Sequence, residues 1–290
     1  MIRRILVPLD PSPYTAAATA YAGRIATALD AEVTGLAVLD LPALEEPVAP
    51  VPLTTPYAPG EFYYLGGIYY AEQLEEGKLE GARERVDALL DRFREHCEAN
   101  GLACRLAEEQ GTPSERIIQS AMYYDLVVMG LRTYYHFETS DKPGDSLDKV
   151  LGHSITPVIA VTASFVPKDR LSAVIAYDGS LPAARAMQHF AQLARTCDFD
   201  LTVLMAYDDE EVAAYHLDRA VEYLEAHGFR DVKKAWTGHP ITRAIDEEYL
   251  GRVDVVIVGP HSKRGLFHFR VGSLTKHLIE AERAVVFIGP

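Results

Sequence analysis

The sequence predicts an α/β fold: two repeats of a five-stranded, mostly parallel, doubly wound sheet in one chain. Two observations predict it. Six sequence blocks recur in one order along the 290 residues. The apolar runs among them, such as LVVMG (126–130) and VVIVG (255–259), are nearly continuous rather than alternating. Strands of that kind are buried on both faces, as in a parallel sheet covered by helices. Apolar runs alternating with helical patterns imply right-handed crossovers and a doubly wound sheet. At roughly 100–200 residues per domain, the length also suggests about two domains.

The elements follow in order. ILVPLDPS (5–12) is matched by AVIAYDGS (173–180): each is a short strand ending in Asp and then Ser. Ala-rich helices follow, over Tyr14–Leu29 and Leu181–Arg195, with Ser12 and Ser180 at their N-cap positions. VTGLAVLD (33–40) is matched by LTVLMAYD (201–208), QGTPSERIIQSA (110–121) by TGHPITRAIDEE (237–248), and DLVVMG (125–130) by DVVIVG (254–259). DSLDKVLGHSITPVIAV (145–161) is matched by GSLTKHLIEAERAVVFI (272–288). Asp10 to Asp178 spans 168 positions but Gly130 to Gly259 only 129, so copy one carries about 39 extra residues, placed at about 41–82. That stretch contains Pro42, Pro47, Pro50, Pro52, Pro56 and Pro59 and reads as an extended loop. It passes Tyr63–Tyr70 into a charged helix from about Ala71 to Asn100. The tyrosines are either the packed root of the loop or a lid or partner surface. Glu45–Gly67 is expected to move, or to cover copy one's crevice. The domains are expected at 1–163 and 170–290, joined by a linker over Thr162–Arg170.

Composition narrows the function. A formal charge of −14 repels nucleic acid and anionic lipid, and an anionic ligand would need a local cationic or amide site. Three cysteines, none in a C-x-x-C pair, argue against a disulfide framework or zinc site. No leader and no membrane span is expected, and a cytoplasmic location fits best. The histidines form no H-E-x-x-H pair, and neither a Walker motif nor a G-x-S-x-G elbow is present, so no catalytic residue and no metal site is expected.

The chemistry-bearing pattern lies in copy two. Gly259-Pro260-His261-Ser262 ends a strand, nine residues follow, and Gly272-Ser273 opens a helix. A helix start offers unbonded N–H groups and the positive end of the dipole. The loop between carries Lys263, Arg264 and Arg270 and no acid. It is either an anion site or a solvated basic loop before a Ser-capped helix.

This pattern resembles the nucleotide motif of ATP-binding universal stress proteins, G-x-x-G, nine residues, then G followed by S or T. Gly259, Gly272 and Ser273 match, while Ser262 replaces the second glycine. Asp178 is similar to the family's adenosine-side aspartate, and Ala206 falls where the backbone meets adenine. The resemblance implies a Rossmann-like, adenine-nucleotide alpha-hydrolase-like fold. It implies a copy-two site of Ala176, Asp178, Ala206, Gly259, His261, Ser262, Gly272, Ser273 and Leu274. A weaker copy-one site would be Pro8, Asp10, Val38, Gly130, Arg132, Thr133 and Ser146. There Thr133 replaces the second glycine and Asp145 stands at the place of Gly272, so copy one is expected to bind weakly or not at all. Asp145 is expected to cap the helix N-terminus itself and take the phosphate's place. The implied ligand is ATP, or AMP or ADP, with or without Mg²⁺. The implied function is stress-response regulation. The alternatives are a nucleotide-free scaffold that engages protein partners and, more weakly, a slow ATPase. Family domains dimerise through their last strands, here Val158–Thr162 and Val285–Ile288. A tandem chain can pair these edges internally as a pseudo-dimer, with or without a further homodimer.

Overall fold

The computed structural model describes residues 2–40, 62–135, 142–166, 168, 170–194, 198–260 and 272–290, with backbone only at 62–76 and 78. The loop at 41–61 and the basic loop at 261–271, with His261 and Ser262, lie outside the described residues.

The N-terminal half runs β1 (Arg4–Leu9), α1 (Pro13–Leu29), β2 (Glu32–Leu39), α2 (Phe62–Ala99), β3 (Cys104–Gln110), α3 (Pro113–Ala121), β4 (Leu126–Gly130), α4 (Ser146–His153) and β5 (Val158–Val161). The C-terminal half repeats it: β6 (Arg170–Tyr177), α5 (Leu181–Leu193), β7 (Asp198–Ala206), α6 (Glu210–Ala226), β8 (Lys233–Thr237), α7 (Ile241–Ala244), β9 (Val255–Val258), α8 (Ser273–Ala281) and β10 (Val285–Ile288). A π-helical turn, Ile245–Tyr249, extends α7. The tyrosine-bearing segment differs from expectation. Helix α2 already begins at Phe62 rather than near Ala71, because the prolines stop at Pro59 and nothing after it breaks the helix.

The strands form one ten-stranded sheet in the order β3-β2-β1-β4-β5-β10-β9-β6-β7-β8. Each half is parallel throughout, and the halves meet where β5 and β10 pair antiparallel, with Phe287 opposite Ile159. This is the internal pairing of last strands expected from the sequence. Both faces of the sheet are buried. Ile5, Val7 and Leu9 of β1 point into a core under α1, α2, α5 and α6. Leu6 points into a second core under α3, α4, α7 and α8. That double burial explains why the strands read as unbroken apolar runs.

Both halves anchor the amino end of the sheet alike. Asp125, just before β4, accepts from the backbone N–H groups of Arg3 and Arg4 at 2.8 and 3.0 Å. Asp254, just before β9, accepts from Ser172 N at 2.8 Å and from Lys168 Nζ. Burial opposes ionisation of Asp254, but the bonds from Lys168 and Ser172 outweigh it and hold its pKa below the ordinary aspartate range. Among the described residues, no helix is long and apolar enough to cross a membrane.

Candidate functional site

In a doubly wound sheet, ligands sit beyond the carboxyl ends of the strands. In the C-terminal half that place is a cleft of about 790 Å³. It brings together Ala176 near the end of β6 and Asp178 just after it, Ala206 at the end of β7, Gly259 after β9, and Gly272, Ser273 and Leu274 at the start of α8. All seven are residues named from the sequence, and all seven are at least partly accessible. The cleft is also lined by residues the sequence reading missed: Tyr207, Asp208 and the β8–α7 turn Gly238, His239 and Pro240. A signal for that turn existed, because TGHPITRAIDEE is one of the repeated blocks and every loop after a strand's carboxyl end faces the same crevice.

The turn after β6 is built by Asp178-Gly179-Ser180. Gly179 has φ +69°, and an added Cβ would lie 3.0 Å from the His216 ring, so glycine serves both backbone and space. Asp178 accepts from Ser180 N at 2.9 Å, and Ser180 Oγ caps α5 by accepting from Ala183 N at 3.3 Å. At the far wall, the N-cap Gly272 gives its own N–H to Pro260 O at 2.7 Å. The N–H groups of Ser273 and Leu274 have no partner among the described residues, as expected of a helix's first turn. The glycine at the end of β9 is set by packing. A Cβ on Gly259 would meet the backbone of Pro182 at 2.9 Å, so glycine is required by the close approach of α5. Gly130 is held by the same geometry, its Cβ position 2.5 Å from Tyr14 Cβ on α1.

The matching place in the N-terminal half is closed. Pro8, Asp10, Val38, Gly130, Thr133 and Ser146 are all buried, and only Arg132 is partly accessible. Asp10 is 3% exposed and its carboxylate is used by its own chain. Oδ1 accepts from Ser12 N at 2.9 Å, from Thr15 Oγ1 at 2.8 Å and from Ser12 Oγ. Oδ2 accepts from Tyr134 N at 2.7 Å. Ser12 differs from Ser180: it holds the N-cap position but makes no cap bond, and its hydroxyl donates to Asp10. The segment after β4 packs inward, with Leu131, Thr133 and Tyr135 buried. Tyr134 stacks on Tyr14 with ring centroids 6.4 Å apart. Burial, with Asp10 nearby, pushes the Tyr135 hydroxyl well above its ordinary pKa.

Arg132, the partly accessible residue of this set, is also occupied. Arg132 Nε is paired with Glu282 of the other half, and Tyr14 Oη donates to the same carboxylate at 3.0 Å. Glu282 ends α8 in a left-handed conformation, φ 52°. Burial first, then the bond to Glu282, pushes Tyr14 up to about 12.

One expectation is overturned here. Asp145 occupies the N-cap position of α4 but its side chain makes no cap bond. Its carboxylate pairs with Lys149 Nζ at 2.9 Å, one turn along the helix, where a full charge competes with the N–H groups. Copy one is closed by Asp10, the 131–135 segment and Glu282, not by Asp145. Among the described residues, no group of three His, Cys, Asp or Glu side chains is placed to hold a metal.

The sequence profile described as "Universal stress protein family" matches residues 1–162, more than half of the chain. The chain belongs to the universal stress protein family. Among solved structures, it is similar to a universal stress protein from Archaeoglobus fulgidus, at 19% identity and a TM-score of 0.67, covering 98% of this chain and 97% of that one. A putative universal stress protein from Pseudomonas aeruginosa is similar at 15% identity and TM-score 0.58, with 99% and 92% covered. A protein of unknown function from the same organism is similar at 16% and 0.57, also with 99% and 92% covered. These likenesses speak to the fold. No curated protein matches the sequence.

Proposed function

We propose that this universal stress protein is a cytoplasmic stress-response regulator that binds an adenine nucleotide, ATP, in its C-terminal half, with functional units at 1–163 and 170–290. The observation that carries the reading is the accessibility of equivalent positions. Asp178, Ala206, Gly259 and Ser273 line an open cleft, while Asp10, Val38, Gly130 and Ser146 are buried. The cleft's 790 Å³ lies within the roughly 300–1,000 Å³ of small-molecule sites. Its parts suit a nucleotide: first-turn N–H groups of α8 for phosphate, the Asp178 carboxylate for hydroxyl donors, and strand-end backbone at Ala206 for a base. Asp178 alone is a poor Mg²⁺ site, so a metal would arrive on the phosphates.

Mass spectrometry of small molecules released from the purified protein tests this directly. Co-purified ATP, ADP or AMP is expected, with an ATP-induced rise in melting temperature. Absence of both would leave the scaffold reading, which the self-bonded Asp10 favours for the N-terminal half.

A further inference from the structure

The antiparallel seam creates a second cavity, on the opposite side of the molecule's chemistry. On the first-core face, α1 lies chiefly over β4 and β1, and α5 over β9 and β6. Strands β4 and β9 are separated by β5 and β10. Three strand spacings are about 14 Å, whereas helices in contact sit about 8–10 Å apart. The two helices therefore cannot close over the seam. A slot roughly 4–6 Å wide remains, the thickness of one alkyl chain or one ring.

The structure shows this slot as a cavity of about 370 Å³ shared by both halves. Ile159 of β5 and Phe287 of β10 belong to its lining, with Tyr21 and Ile25 from α1 and Phe190 and Leu193 from α5. The linker contributes Phe165, packed edge-on against Tyr21 with centroids 4.7 Å apart. Two charged residues border it. Asp198 is paired with Arg170 at 3.6 Å. Arg24 donates one hydrogen bond to the Lys168 carbonyl, and among the described residues no carboxylate is paired with it. A guanidinium carries five N–H donors, so Arg24 keeps capacity for a carboxylate.

We propose that this slot binds a straight-chain aliphatic carboxylic acid, its chain between α1 and α5 and its carboxylate on Arg24. At about 30 Å³ per water-sized group the volume holds roughly a dozen such groups, hence a chain of about ten to twelve carbons. The burial of an apolar chain supplies the affinity and the single cation sets the polarity. This site is independent of the nucleotide cleft.

Decanoic acid and decanol, titrated into the full chain below their micellar concentrations and followed by calorimetry, test it. One decanoate per chain is expected. Arg24→Met keeps the apolar stem and should weaken decanoate about tenfold while leaving decanol unchanged. Ala28→Trp, at an exposed lining position, should block both; circular dichroism checks that each variant folds. Should Ala28→Trp not fold, the Arg24→Met difference decides alone. No saturable binding of either probe, or equal loss of both in Arg24→Met, overturns the proposal. So does a dimer in sedimentation whose formation competes with decanoate, because a second copy would then fill the slot.

Discussion

The two crevices of this molecule have the same ancestry of form and opposite contents. At the amino ends of the sheet the halves agree: Asp125 and Asp254 each tie the opening strand to the fourth strand of its half. At the carboxyl ends they part. The N-terminal crevice has spent its polar groups on itself, while the C-terminal cleft keeps equivalent groups accessible. The difference teaches that an aspartate, a glycine and a serine can keep their places in the sequence and still differ in exposure between the two halves.

The largest expected effect breaks or upholds this comparison outright. Calorimetry should give about one tight adenine-nucleotide site per chain. Gly272→Asp should weaken it about a hundredfold, the value of two lost charge-assisted contacts at roughly 3 kcal/mol in total. Gly272 has φ −61° and ψ 153°, so aspartate fits its backbone and the loss would not be one of folding. Asp145→Gly should leave binding unchanged. Two equal sites, or a tight site surviving Gly272→Asp, would reverse the ranking of the halves.

Next comes an exchange of roles between the two strand-end aspartates. Asp10→Ala strips part-buried donors at Ser12, Thr15 and Tyr134 of their buried acceptor. At about 1–3 kcal/mol for each orphaned donor, it should cost 3 kcal/mol or more, seen as a fall of several degrees in Tm, with nucleotide affinity unchanged. Asp178→Ala should do the reverse, losing about tenfold or more in nucleotide affinity with a small change in Tm. Equal effects of the two substitutions on binding would mean that the N-terminal crevice is also used.

Glu282→Gln probes what closes the N-terminal crevice from the other half. The pair with Arg132 is about one-third exposed on each side, so its loss should cost at most about 1 kcal/mol. Tyr14 gives the sharper readout. Its folded pKa, about 12, lies above its unfolded value of 10.0, so its contribution to stability is full below pH 10 and is lost as pH rises towards 12. Removing the Glu282 charge should lower the tyrosinate midpoint read at 295 nm. An unmoved midpoint would show that the contact does not hold Tyr14.

The smallest effect concerns the amino end. Asp254 has a depressed folded pKa, so its stabilisation is present above the ordinary aspartate value and is lost as pH falls through the folded one. Asp254→Asn should flatten the acid limb of the Tm-against-pH curve below about pH 4 without touching nucleotide binding. An acid limb identical to that of the parent chain would count against this role.

The sequence by itself determined the repeat, the strands and their burial, and the pairing of the two last strands. The repeat, the strands and their burial rest on apolar periodicity and block order, which any chain of this pattern must satisfy to bury both faces of a parallel sheet; the pairing of the last strands came from the resemblance to the family. It also named seven residues that the fold brings into one cleft, because strand ends in such a sheet share one side. The sequence ranked copy one below copy two; tertiary structure supplied the burial of its equivalent positions. Asp10 and Asp178 look alike in sequence, but only one meets the N–H of Tyr134, 124 positions away. Nothing in the string places Arg132 beside Glu282, 150 positions on, where folding pairs them. Asp145 looked like a phosphate mimic because it stands at the helix N-terminus, but its carboxylate pairs with Lys149, an i,i+4 partner that was also present in the string. Local pattern specifies where a group stands; whether it is still available depends on neighbours that only folding supplies.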